Sequence, residues 1–122
     1  MQETKPPLWI DLTVDRAEEI RDFYINVAGW EAEPVDMGGY EDYAMNEDKE
    51  TLAGICHARG VNAGIPPVWI PYFQVKSLEK SLQSCVERGG EVVCPVRSLG
   101  PDKSYAVIRD PSGAVCAIWA DQ

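Results

Sequence analysis

Histidine, clustered positive charge and long apolar runs are what this sequence lacks. One histidine, His57, stands among 122 residues. A lone histidine is more often hydrogen-bonded or at the surface than a metal ligand, because a metal site needs several donors that converge. Lys and Arg number 11 against 20 Asp and Glu, for a net charge of -9. Phosphate binding depends on clustered cations, so nucleic acid is not an expected partner. The acidity itself is read as a solvated surface that keeps the chain soluble. No apolar run reaches the roughly eighteen residues that a membrane span needs. The start, MQETKPPLW, lacks the basic and then apolar run of a signal peptide. A soluble, cytoplasmic protein with no membrane partner is therefore expected.

The four cysteines, Cys56, Cys85, Cys94 and Cys116, show no CxxC spacing and are too few for a secreted disulfide scaffold. Several sit among apolar neighbours, as in EVVCPV and AVCAIW, where a free thiol behaves as a small hydrophobe. Buried reduced cysteines are the default reading.

What is present is a weak repeat at a spacing of 61 residues. Val14 falls on Val75, Glu18 on Glu79 and Gly29 on Gly90. In each half an extended apolar segment, LWIDLTV and then WIPYFQV, runs into a helical pattern, a glycine turn and three further strand-like stretches. Length and a hydrophobic content of 45% suit one domain with a real core. Residues 8–14 alternate as a strand, with Trp9, Asp11 and Thr13 on one face and Ile10, Leu12 and Val14 on the other. Residues 16–28 place Ile20, Phe23, Tyr24 and Val27 at helical spacing before a stop at Gly29. Strands follow at 30–35, 40–46 and 51–58, with a turn at Met37-Gly38-Gly39 and a solvated acidic turn at 46–50.

The segment 58–67, rich in Gly, Pro and Asn, reads as the connection between the halves. A strand at 68–75 and a helix with Leu78, Leu82, Cys85 and Val86 on its buried stripe come next, ending at Gly89-Gly90. Strands at 91–96, 104–109 and 114–119 close the chain, the last two joined by Asp110-Pro111-Ser112-Gly113. The expected fold class is α+β, two βαβββ modules in one domain spanning 1–122. Module 1 covers about 8–58, the linker about 59–67 and module 2 about 68–120.

The stretches WIDLTV, RAEEIRDFYINVAGWE, WIPYFQVKSLEKSLQSCVERGGEV and YAVIRDPSGAVCAIW, taken in order, resemble the glyoxalase/bleomycin-resistance/dioxygenase group of the vicinal oxygen chelate superfamily. The resemblance implies a curled mixed-sheet barrel whose modules line a cavity. Its members include isomerases, lyases, extradiol dioxygenases, thiol transferases and drug-binding proteins, and the fold does not choose among them. Metal-dependent members draw ligands, usually two His or Gln and two Glu, from the first and last strand of each module. Those positions match Trp9, Cys56, Ile70 and Ala117 here, and three of the four carry no metal-binding group. His57 neighbours Cys56 but points to the opposite face of its strand unless the strand is bulged. No metal site and no cofactor are expected.

Without a metal, the same inward faces become the wall of an organic pocket. The alternation selects Trp9, Asp11 and Thr13, then Cys56, then Ile70, Tyr72 and Gln74, and finally Val115, Ala117 and Trp119. Such a lining suits a flat or partly apolar small molecule, oriented by hydrogen bonds to Thr13, Tyr72 and Gln74. The same residues would equally serve as core. Asp11 is a carboxylate within an apolar strand. It is either a general base or a counter-ion, or it is hydrogen-bonded to Tyr72 or a backbone amide. Asp11 and Tyr72 are the catalytic candidates, and Cys56 is a nucleophile only if a cation lowers its pKa.

The expected function is binding or sequestering an aromatic or partly apolar ligand. The alternative is a glyoxalase-type lyase or isomerase, or a metal-dependent dioxygenase-like enzyme. Short modules leave sheet edges that a second subunit would cover, so a homodimer is expected.

Overall fold

In the computed structural model, residues 9–121 are described, and they fall into two compact units, 9–69 and 70–121. Leu8 and the opening segment behind the targeting expectation lie outside the described residues.

The first unit opens with β1 (Trp9–Val14), in which Leu12 and Thr13 are buried and Val14 packs against the core under the helix that follows. That helix, α1 (Ala17–Ala28), has two glutamates in its first turn, where the helix dipole favours negative charge. It ends at Gly29, whose left-handed φ of 74° lets its N–H reach the Ile25 carbonyl at 3.1 Å. β2 (Glu31–Asp36) and β3 (Glu41–Glu47) form a hairpin across Gly38 and Gly39. β3 and β4 (Glu50–His57) meet at Asp48 and Lys49, both at positive φ. The acidic turn is thus tighter than its composition suggests, because both central residues take the left-handed conformation that a two-residue hairpin demands. The sheet order is β2-β3-β4-β1, with β1 parallel to β4 and the other pairs antiparallel. Ala17, Tyr43, Met45 and Ile55 form the core between α1 and the sheet.

The connection contains a single 3-10 turn, Gly60–Asn62. The second unit repeats the plan. β5 (Trp69–Gln74) leads to α2 (Leu78–Glu87), capped by the Ser77 hydroxyl, which accepts from the Lys80 amide at 3.2 Å. β6 (Glu91–Ser98), β7 (Lys103–Arg109) and β8 (Val115–Asp121) complete it in the order β5-β8-β7-β6, with β5 parallel to β8. Register shifts mark the β6–β7 pairing. The Asp110 carboxylate closes the last turn by accepting from the Ser112 amide at 2.8 Å, the Ser112 hydroxyl at 2.5 Å and the Ala114 amide at 3.1 Å. Leu78, Ala106, Ile118 and Ala120 make the core beneath α2.

The chain is therefore an α+β protein of two βαβββ modules. Among the described residues no helix is long and apolar enough to cross a membrane.

Candidate ligand-binding faces

Each sheet has one face against its helix and one face free of it, and the period of two sends the expected site residues to the helix-free faces. In the first module Asp11 pairs with Gly54 and Thr13 with Cys56 across the parallel β1–β4 ladder. The Trp9 indole N–H donates to the Asp11 carboxylate. A Cβ at position 54 would run into that carboxylate and come within 3.2 Å of the Trp9 indole nitrogen. Glycine at 54 thus gives the Asp11 carboxylate room to lie close over the strand, and a larger residue would have to displace it. Trp9, Asp11, Thr13 and Cys56 are thus brought together as the alternation predicts.

Sequence reasoning missed Asp42, which lies on β3 and is 8% exposed. Its Oδ1 accepts from the His57 backbone N–H at 2.9 Å and lies 3.1 Å from His57 Nδ1. The other ring nitrogen, Nε2, lies 3.0 Å from Glu18 Oε1 on α1. His57 therefore bridges a strand carboxylate and a helix carboxylate. The reading of His57 as a hydrogen-bonded residue near a strand end describes this geometry. A signal for Asp42 existed, since it is a carboxylate inside the otherwise alternating stretch YEDYAMN.

The Cys56 thiol is pushed well up from its ordinary pKa, first by burial and then by the charges of Asp11 and Asp42. A thiol so placed stays protonated, which removes the condition for a nucleophile or a metal-binding thiolate. Among the described residues no group of three or more His, Cys, Asp and Glu is placed to hold a metal ion. Trp9, Ile70 and Ala117 offer no metal-binding side chain at their positions. The donor set does not fit the quartet that the family resemblance implies.

In the second module Tyr72 pairs with Ala117 and Gln74 with Trp119 on β5 and β8. β7 adds Tyr105 opposite Trp119 and Val107 opposite Ala117. The Tyr72 and Tyr105 ring centroids are 5.4 Å apart, and the Lys103 ammonium sits 5.6 Å from the Trp119 ring centroid. Ile70, Tyr72, Ala117 and Trp119 are buried, Val115 is half-buried toward the strand end, and Gln74 is exposed. Sequence reasoning took lining from the first and last strands only and so missed Tyr105 and Lys103 on β7. Trp119 is 7% exposed, and its buried indole N–H meets no hydrogen-bond acceptor among the described residues. Leaving a buried donor unsatisfied costs about 1–3 kcal/mol.

No family model matches the chain. The protein named "Putative glyoxylase CFP32" from Mycobacterium bovis is 29% identical over 116 residues, covering 93% of this chain and 44% of that protein. The anthracycline biosynthesis protein DauV of Streptomyces sp. is 28% identical over 129 residues, covering 93% of this chain and 46% of that protein. The chain thus spans less than half the length of the curated relatives it matches. Among solved structures, a glyoxalase/bleomycin resistance protein/dioxygenase superfamily member from Vibrio splendidus superposes with a TM-score of 0.59 at 13% identity, covering 93% of this chain and 97% of that one. The chain is thus similar in sequence to a protein named as a glyoxylase and similar in fold to a member of the glyoxalase/bleomycin resistance protein/dioxygenase superfamily.

Proposed function

We propose that this chain, working as a single domain and as a homodimer, binds or sequesters a small aromatic or partly apolar organic molecule without a metal. The observation that carries the reading is the buried indole N–H of Trp119, which meets no acceptor among the described residues, on a face with the rings of Tyr72 and Tyr105. Rings supply stacking area, and the free donor selects a ligand with a hydrogen-bond acceptor. Ile70, Gln74, Val115 and Ala117 line the same face. Trp9, Asp11, Thr13 and Cys56 line the corresponding face of the first module, where Asp11 already accepts the Trp9 indole hydrogen bond. One relative is named for anthracycline biosynthesis, which supports an organic ligand.

The test is a thermal-shift screen of aromatic carbonyl compounds and phenols on wild type and Trp119→Phe. A bound compound should raise Tm, be recovered chemically unchanged, and lose roughly tenfold in affinity in Trp119→Phe, the worth of one hydrogen bond. Turnover of the compound overturns the sequestering reading, and equal affinity in the variant removes Trp119 from the site.

A glyoxalase-type lyase or isomerase is the second reading, supported by the relative named as a glyoxylase and by Asp11 beside a protonated thiol. Asp11 or Tyr72 would then move the proton. Asp11→Asn should abolish turnover while leaving ligand-induced stabilisation in place, and full turnover in that variant removes Asp11 as the base.

A further inference from the structure

The internal repeat exposes a second site, on the other side of the module 2 sheet. At the 61-residue spacing Ile20 of α1 corresponds to Ser81 of α2, Phe23 to Ser84, Tyr24 to Cys85, and Trp30 to Glu91. In module 1 Ile20, Tyr24 and Trp30 pack against the core between helix and sheet, while Phe23 is half exposed at its edge. Tyr24 stacks on Trp30 at 5.4 Å and 16°, and meets Phe23 edge-on at 5.1 Å. Trp69, the last residue of that unit, closes the cluster edge-on, its indole N–H donating to the Tyr24 hydroxyl at 3.2 Å.

Module 2 keeps the backbone plan and loses the rings. What remains between α2 and the sheet is a cleft of about 450 Å³. Its floor is Val75, Ile108 and Ile118, its helix wall is Ser81, Ser84 and Cys85, and the Lys80 and Arg88 side chains border it. A volume in this range is that of a small-molecule site. The Asp110 carboxylate on the border keeps its negative charge while its turn engages it through Ser112 and Ala114, so with Lys80 and Arg88 the border carries a net positive charge. Arg88 stands where module 1 has Val27, and Lys80 where it has Glu19, so both positive charges are features of this cleft alone.

We infer that the cleft beneath α2 binds a planar aromatic carboxylate, whose ring takes the place that Tyr24 and Trp30 occupy in the other module and whose anion is met by Lys80 and Arg88. The site lies on the helix side of the sheet and is independent of the helix-free faces in the proposed function.

The probe is 2-naphthoate, titrated into the full chain by calorimetry and by amide chemical shifts, with 2-naphthamide as its neutral counterpart. Shifts should gather at Ser81, Cys85, Ile108 and Ile118, and naphthoate should bind more tightly than the amide. Lys80→Gln combined with Arg88→Gln should weaken naphthoate by roughly tenfold and leave the amide unchanged. Refilling the cleft by Ser81→Ile with Cys85→Tyr should abolish both. If the refilled variant does not fold, the charge variant alone decides. Shifts confined to Tyr72, Ala117 and Trp119 would assign the ligand to the helix-free face and overturn this inference, as would absence of binding at millimolar probe. A wild-type dimer that becomes monomeric on refilling would show that a second copy covers the cleft, which also overturns it.

Discussion

The two modules share a backbone plan and differ in what they carry. Residues 9–69 hold thirteen Asp and Glu against four Lys and Arg, whereas residues 70–121 hold six of each. The whole net charge of -9 therefore resides in residues 9–69. Its helix-free face is correspondingly acidic, with Asp11 and Asp42 about a protonated thiol, while that of module 2 is aromatic, with Lys103 over Trp119. On the helix side the contrast reverses in kind. Module 1 packs rings beneath its helix, and module 2 leaves a cleft. A repeated fold constrains the ladder and the helix position and leaves side-chain volume and charge free to diverge between copies.

The largest effect should come from emptying the space that module 1 fills. Tyr24→Ala removes the ring stacked on Trp30, the edge contacts to Phe23 and Trp69, and the acceptor of the Trp69 indole. It should cost about 2–4 kcal/mol by urea denaturation. Cys85→Ala at the corresponding position borders an existing cleft and should cost less than about 1 kcal/mol. Equal costs at the two positions would show that the cleft closes in solution and that the modules pack alike.

A smaller effect separates the two parallel ladders. Gly54 faces Asp11 in the first, and Ala117 faces Tyr72 in the second. Gly54→Ala must displace the Asp11 carboxylate and the Trp9 ring, for about 1–3 kcal/mol. Ala117 is fully buried, and Ala117→Gly loses a methyl group and gains chain entropy, for about 1 kcal/mol. If Gly54→Ala is neutral, the Asp11–Trp9 pair is free to move and Asp11 is not held in place for chemistry.

Much of this was legible in the sequence because it follows from period and spacing. Both helices end where Gly29 and Gly89-Gly90 allow a left-handed turn, and the faces of β1, β4, β5 and β8 follow from alternation alone. The pairing of His57 with Asp42 and Glu18 was not legible, since these residues lie 15 and 39 positions apart. Only the strand register and the helix rotation bring them together. The cleft beneath α2 was within reach, because the 61-residue repeat sets Ser81 and Cys85 against Ile20 and Tyr24. It needed the structure to show that no other side chain among the described residues fills the volume.

The smallest expected effect concerns acid. Glu18 in module 1 is held below the ordinary carboxylate pKa by a backbone hydrogen bond first and by His57 second. Asp110 in module 2 is held below its own by the Ser112 hydroxyl and amide. A carboxyl group whose pKa is depressed on folding binds its proton less readily in the folded state. Its stabilisation is therefore present above the unfolded value, near about 4, and is lost as pH falls through the folded one. Both groups are solvent-facing, so each contribution is small and screened by salt. Glu18→Gln and Asp110→Asn should each flatten the fall of Tm on acidification below about pH 5. They differ in what added salt does. The Glu18 contribution includes an ion pair with His57 and should weaken with salt, whereas that of Asp110 rests on neutral donors of its own turn and should persist. The same salt response in both variants would mean that His57 adds no charge to the Glu18 contact, and the bridge between α1 and β3 would then be a neutral hydrogen bond.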